Sequence, residues 1–237
     1  MIRSLNMLGY EIMELLRATN RVSDSLDVRL AKTWVKQTRA LLLKQRFDEP
    51  MAIIDPAVIQ DLGKVTFAPV DSSANTSVPS GKYMMRSSTR LPVTINRKGN
   101  IGTFTRIASA DRLEKKFNLV SYDRALVSGN GKFNSDDVYA FTNDGYMYLI
   151  SKSNLHKYIT SCNIQGVFVN PEDAYTFNTT VSSVTPWSDD LEYPVSESIV
   201  VDLQNIIIDK KFRLVLNQIE DSVANGKDDT TNITPKK

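Results

Sequence analysis

Leu5, Leu8, Ile12 and Leu15 recur at spacings of three, four and three, which marks one face of a helix. Thr19, Asn20 and Arg21 break that pattern. Ser23, Asp24 and Ser25 then offer side-chain oxygens to the free amides of a second helix. Along this helix Ala31, Trp34, Val35, Thr38, Leu41 and Leu42 form a stripe, with Arg29, Lys32, Lys36 and Arg39 mainly elsewhere. The helix should fade near Phe47, before Pro50. Two amphipathic helices and a short turn predict an αα-hairpin. The stripe packs a core, and part of the same face can pack on a neighbouring subunit.

From Ile53 helical spacing gives way to recurring proline and glycine. Ile59 to Gly63 reads as one helical turn ended by glycine. Lys64–Phe67 reads as a strand, and the polar run from Asp71 to Gly81 as a loop. Leu91–Ile95 and Ile101–Thr105 predict a hairpin with a basic tip at Asn96–Asn100. Asp111–Leu119 reads as a short helix. Val138–Phe141 and Tyr146–Ile150 flank Asn143-Asp144-Gly145, whose Asp-Gly step suits the positive φ angles of a tight turn. Gly166–Val169 reads as a strand ended at Asn170-Pro171.

Helical spacing returns after Tyr193-Pro194, with proline read at a first helical turn. Ile199, Leu203, Ile206 and Ile207 make one stripe; Ile208, Phe212, Val215 and Ile219 make another, out of line with the first. Either one helix is apolar on more than one side, or Asp209-Lys210 marks a bend. The fold class expected is α+β. The N-terminal αα-hairpin (residues 1–50) and the C-terminal helix (187–220) form a helical body. A mainly antiparallel β domain (51–186) is inserted, and 221–237 form a disordered tail.

Composition narrows the function. The 237 residues are 41% apolar and 24% charged, enough for a packed core. No apolar run approaches the roughly 20 residues of a membrane span, and the first residues lack a signal peptide's apolar core. One cysteine, Cys162, forms no internal disulfide, and one histidine, His156, removes most metal and triad chemistry. Gly129–Lys132 lacks the earlier glycine and the following Ser or Thr of a phosphate loop, holding Leu126 and Phe133 there. The pairs Asp136-Asp137, Asp189-Asp190 and Asp228-Asp229 read as caps, turns or tail, because a metal would need more ligands converging from elsewhere. No cofactor is expected, and a soluble, non-enzymatic chain is.

The net charge of +2 hides a pattern. Residues 79–134 carry 11 basic and 3 acidic side chains, whereas residues 170–237 carry 6 and 12. Two oppositely charged stretches suggest surfaces for different partners. Arg86, Arg90, Arg97, Lys98, Arg106, Lys115, Lys116 and Lys132 are the candidates for contact with DNA or an acidic protein. Leu8, Ile12, Trp34, Leu41, Leu203, Ile207 and Phe212 are the candidates for subunit packing.

Several strings, in this order, carry a family likeness. They are Ile54-Asp55-Pro56 with Ile59–Gly63, Pro69-Val70-Asp71, Arg86–Thr89 with Leu91-Pro92, and Phe104–Ile107. Gly166–Ala174 and Tyr193-Pro194 complete the set. Over residues 5–220 the chain resembles head-to-tail connector, or neck ring, proteins of tailed bacteriophages of the crAss-like type. The resemblance implies a virion protein made in the host cytoplasm and placed in the neck, without a membrane. It implies a homo-oligomeric ring of about twelve copies docked below the portal protein. Other neck or tail proteins would bind it, and double-stranded DNA would pass through its lumen. A sequence-independent DNA-binding module built on residues 82–132 is the alternative. An enzyme hidden in the β part, using His156 or Cys162, is the third reading.

Overall fold

A computed structural model describes residues 3–18, 27–49, 53–70, 82–97, 101–110, 116–131, 133–153, 156, 158–181 and 186–212. The fold is mixed α+β. Helices α1 (Leu5–Ala18) and α2 (Val28–Asp48) pack against each other. The cap of α2 is Asp27, whose carboxylate accepts from the Arg29 amide at 3.0 Å. Ser23–Ser25, expected to supply it, lie outside the described residues. Glu49, the residue before Pro50, is already extended, as a following proline demands.

Strands follow in the order β1 (Gln60–Pro69), β2 (Tyr83–Ser87), β3 (Asn96–Arg97), β4 (Ile101–Gly102), β5 (Phe104–Ser109), β6 (Asn118–Leu119), β7 (Tyr139–Asn143), β8 (Tyr146–Ser151) and β9 (Ser161–Gly166). Seven of them form one sheet, in the order β5-β9-β1-β2-β8-β7-β6. The two ends of this sheet nearly meet. Ala108 bridges Lys116, and the Phe117 amide donates to the Ile107 carbonyl at 2.7 Å. The result is an almost closed barrel, antiparallel except between β6 and β7. Val65, Phe67, Met85, Ile107, Met147, Leu149, Cys162 and Ile164 share its core. A short helix α3 (Tyr122–Val127) covers a smaller cluster of Met84, Tyr139, Phe141 and Ile150. Met84 and Met85 thus bury opposite faces of β2, as neighbours on a strand do.

The β7–β8 hairpin forms as the sequence predicts. Asp144 and Gly145 take φ of 49° and 76°, the pair of left-handed residues that matches strand twist. Other expectations need correction. Gln60–Gly63 belong to β1; the helical turn is a 3₁₀ turn at Pro56–Val58, capped by Asp55. Gly63 (φ 69°) marks a bulge between Asp61 and Lys64 instead of a helix end. Residues 116–119 are extended, not helical: the Phe117 side chain points into the barrel core. The strand expected at Gly166–Val169 runs earlier, over Ser161–Gly166, where it pairs on both sides with β1 and β5. The predicted 91–105 hairpin shrinks to β3 and β4, with Thr94 bridging Phe168 and β5 joining the large sheet. Its tip, Lys98–Asn100, lies outside the described residues, as do 71–81 and 111–115.

The sequence reading missed β2, α3 and the helix α4 (Pro171–Val181). Pro171 read as a strand stop is in fact the first residue of α4, followed by Glu172 and Asp173 in the favoured first turn. Pro194, expected in a first helical turn, instead precedes its helix; α5 (Glu197–Ile206) starts three residues later, after Ser196. At Ile207 the backbone widens into a π-helical turn through Phe212. That change of pitch lets Ile207 and Phe212 both be buried although the two stripes are out of line. Val215, Ile219 and residues 221–237 lie outside the described residues. One apolar cluster joins α1, α2 and α5 through Leu8, Ile12, Trp34, Val35, Leu203 and Ile207, and takes in Val58, Ile95 and Val167 from the strand region. No described helix is long and apolar enough to cross a membrane.

Candidate interaction surfaces

Arg39, expected on a polar side of α2, is fully buried. Its Nε donates to the Pro194 carbonyl at 2.7 Å and its Nη1 to the Phe168 carbonyl at 3.0 Å. The guanidinium also lies 5.5 Å from the centroid of the Tyr193 ring. One side chain thus ties α2 to the segment after β9 and to the segment before α5. The signal was present in the sequence. Arg39 stands four residues after Val35 and four before Leu43, both buried. Burial pushes its pKa down, an effect the neighbouring Tyr193 opposes.

Four acidic side chains of the C-terminal stretch are matched within the chain. Lys32 pairs with Asp189 at 2.7 Å, Arg3 with Glu197 at 3.2 Å and Arg46 with Asp202 at 3.4 Å; Lys36 pairs with Glu172. Basic side chains just before α1 and on α2 therefore face the acidic C-terminal stretch. An open cleft of about 540 Å³ keeps acidic character, with Asp55, Glu192 and Glu197 beside Arg3. The Asp55 pKa is lowered, first by a hydrogen bond from Ser196 and next by the Ala57 amide.

The described basic residues of the middle stretch form two separate groups. Arg86 and Arg90 come together over the Tyr146 ring, at 4.9 and 5.5 Å from its centroid. Arg90 also reaches Asp144 at 3.3 Å. This aromatic–basic grouping is made across strands, so no alternation along the sequence announces it. Arg97 lies 5.8 Å from the Phe47 ring and, with Lys116, lines a cleft of about 410 Å³ at the β5–β6 seam. Arg106 is exposed on β5. Lys98, Lys115 and Lys132 lie outside the described residues.

Of the apolar candidates, Leu8, Ile12, Trp34, Leu203, Ile207 and Phe212 are buried in the chain's own core. Leu41 is 48% exposed, free to meet another surface. Cys162 is buried in the barrel, and His156 Nε2 meets the Asp136 carbonyl at 2.8 Å. Among the described residues no group of three or more His, Cys, Asp and Glu side chains gathers around a metal-sized space.

A family model described as phage tail ring protein 2 matches residues 7–230, nearly the whole chain. The chain belongs to this family. It is a ring protein of the crAss-like phage type, as the likeness in its sequence implied. No curated protein matches the chain. Membership makes the chain a structural component of the virion, a ring of identical copies among other phage structural proteins.

Proposed function

We propose that this ring is an adaptor in the neck, docked below the portal. There it continues the DNA channel and gives the tail a platform, in about twelve copies as a closed cyclic assembly. The family match over residues 7–230 carries this reading. In it, residues 1–50 with 187–220 act as a helical body, residues 51–186 as the module that presents loops, and 221–237 as a tail outside both. The chain carries no reaction of its own. Among the described residues Arg86 and Arg90 gather on Tyr146, apart from Arg97 and Lys116 at the β5–β6 seam, which favours the adaptor over a DNA-binding module built on one continuous basic track. It also suits a channel, where many strong phosphate contacts would hold DNA back.

The test is single-particle imaging of intact virions, with this chain traced into density. A ring directly beneath the portal is the expected result. A ring elsewhere in the tail, or absence from the particle, would defeat the placement. Duplex binding by the isolated protein that weakens steeply with salt, and is lost in Arg86→Ala/Arg90→Ala, would favour the DNA-binding alternative.

A further inference from the structure

β5 and β6 are the two ends of the seven-stranded sheet, and no ladder joins them. They meet at one point, where Ala108 bridges Lys116 and the Phe117 amide donates to the Ile107 carbonyl at 2.7 Å. Beside that point a cleft of about 410 Å³ opens, a volume that accepts a bulky group. Phe104, Ile107, Phe117 and Leu119 line it. Ile107 and Phe117 are buried, whereas Phe104 and Leu119 are only partly covered. The unfinished closure of the barrel thus leaves an apolar floor within reach of an outside group.

The charge at this cleft is one-sided. Arg97 and Lys116, both exposed, are the charged residues among its described lining, and no carboxylate stands with them. Neither makes an ion pair with a described residue, in contrast to Arg90, which has Asp144 at 3.3 Å. The Arg97 guanidinium lies 5.8 Å from the Phe47 ring centroid. A contact of this kind restrains the side chain and leaves its in-plane N–H groups for an acceptor.

An occupant must meet both features, apolar bulk for the floor and negative charge for the rim. Duplex DNA meets only the second, because phosphate dominates what it presents. A protein segment with a bulky apolar side chain next to an aspartate or glutamate meets both. Membership surrounds the ring with other phage structural proteins. The chain carries a net charge of +2, which a ring of identical copies multiplies, and this favours a different chain as the source of the carboxylate.

We infer that the β5–β6 seam cleft is a docking pocket for an acidic segment of a neighbouring virion protein, a chain other than this one. A bulky apolar side chain of that segment packs on Phe104 and Phe117, and its carboxylate meets Arg97 and Lys116. This rests on the ring and its structural neighbours, which family membership establishes, and not on where in the virion the ring sits.

A side-chain-level reconstruction of intact virions decides it. The expected result is another chain in the cleft, with an apolar side chain within about 4.5 Å of Phe104 or Phe117 and a carboxylate within about 4 Å of Arg97 or Lys116. A cleft that is open, or that holds nucleic acid, a small molecule or a second copy of this chain, overturns the inference. In solution the probe is the peptide acetyl-Glu-Phe-Glu-amide, added to the full chain. It should shift the NMR signals of the Ile107 and Leu119 methyl groups, whereas acetyl-Lys-Phe-Lys-amide should not. Lys116→Glu should keep the wild-type Tm, because the side chain is exposed and makes no ion pair, and should weaken the acidic probe about tenfold. Arg97→Gln should weaken it as well. No shift from the acidic probe, equal shifts from both peptides, or unchanged affinity in Lys116→Glu each overturn the inference. A ring beneath the portal with an open cleft defeats the docking pocket alone; a ring elsewhere in the tail with the cleft filled as described defeats only the neck placement.

Discussion

Arg39 and Tyr193 share one buried site: the guanidinium lies 5.5 Å from the tyrosine ring centroid and donates to the carbonyl of the very next residue, Pro194. Its hydrogen-bond acceptors are neutral carbonyls, so geometry matters more than charge. A lysine ammonium is a point charge that cannot reproduce the planar fork. Arg39→Lys should therefore destabilise the fold at least as much as Arg39→Met, which fills similar space without a charge. Each should cost about 2–3 kcal/mol, from carbonyls left without partners. For a chain of this size that lowers Tm by about 5–10 °C. Thermal melts of the two variants check it; a Lys variant close to wild type would mean that charge alone holds the site.

Burial pushes the Tyr193 pKa up to about 12. Below pH 10 the tyrosine is neutral in both folded and unfolded chains, and its titration costs nothing. Between pH 10 and 12 the unfolded chain loses the proton first, so stability falls, by up to about 2–3 kcal/mol. Its hydroxyl is buried without a hydrogen-bond partner among the described residues. Tyr193→Phe should thus be neutral or stabilising at pH 7 and should flatten the alkaline fall. Denaturant titrations of both proteins at pH 8 and pH 11 test this.

Asp189 lies under Lys32, with the Trp187 indole N–H at 3.3 Å. The Lys32 hydrogen bond is the first cause of its lowered pKa. A depressed carboxylate contributes stability above its unfolded pKa and loses it as pH falls through the folded value. Asp189→Asn should therefore be less stable than wild type at pH 6. The gap between them should close as pH drops below about 4. Melting curves across that range measure the gap; one that widens with acid would contradict the assignment.

Gly63 takes φ of 69°, and a Cβ placed there would stand 2.9 Å from Asn178 Oδ1. Asn178 in turn donates to the Asp61 carbonyl at 3.2 Å, latching α4 to the β1 bulge. Gly63→Ala should cost about 1–3 kcal/mol. Adding Asn178→Ser should recover only the steric part, since the backbone strain stays. Full recovery in the double variant would show that φ contributes nothing.

Local signals carried part of the fold. Leu5, Leu8 and Ile12 of the α1 stripe, the 31–42 stripe of α2 apart from Leu41, and the Asp144-Gly145 turn were readable because each depends on residues within a few positions; Leu15, read into the α1 stripe, is 40% exposed, and its neighbour Leu16 is buried instead. The misread segments depend on partners far away in sequence. Ser161–Gly166 is a strand because β1 and β5 flank it, and Gly63 bends a strand because Asn178 and Asp61 lie around it. Lys116–Leu119 become extended by bridging β5 and pairing with β7. Arg39 was legible in its spacing from Val35 and Leu43, but its charge argued the other way, and only two carbonyls from distant segments made its burial tolerable.

The sequence by itself determined the membership, the helical hairpin, the tight β7–β8 turn and the charge segregation, since all are local or cumulative properties of the chain. Tertiary structure decided which charges meet. It set Lys32 against Asp189, gathered Arg86 and Arg90 on Tyr146, and brought Arg97 and Lys116 to one cleft at the β5–β6 seam. The physical reason is that strand order, unlike strand propensity, is fixed by long-range pairing, and no window along the chain contains it.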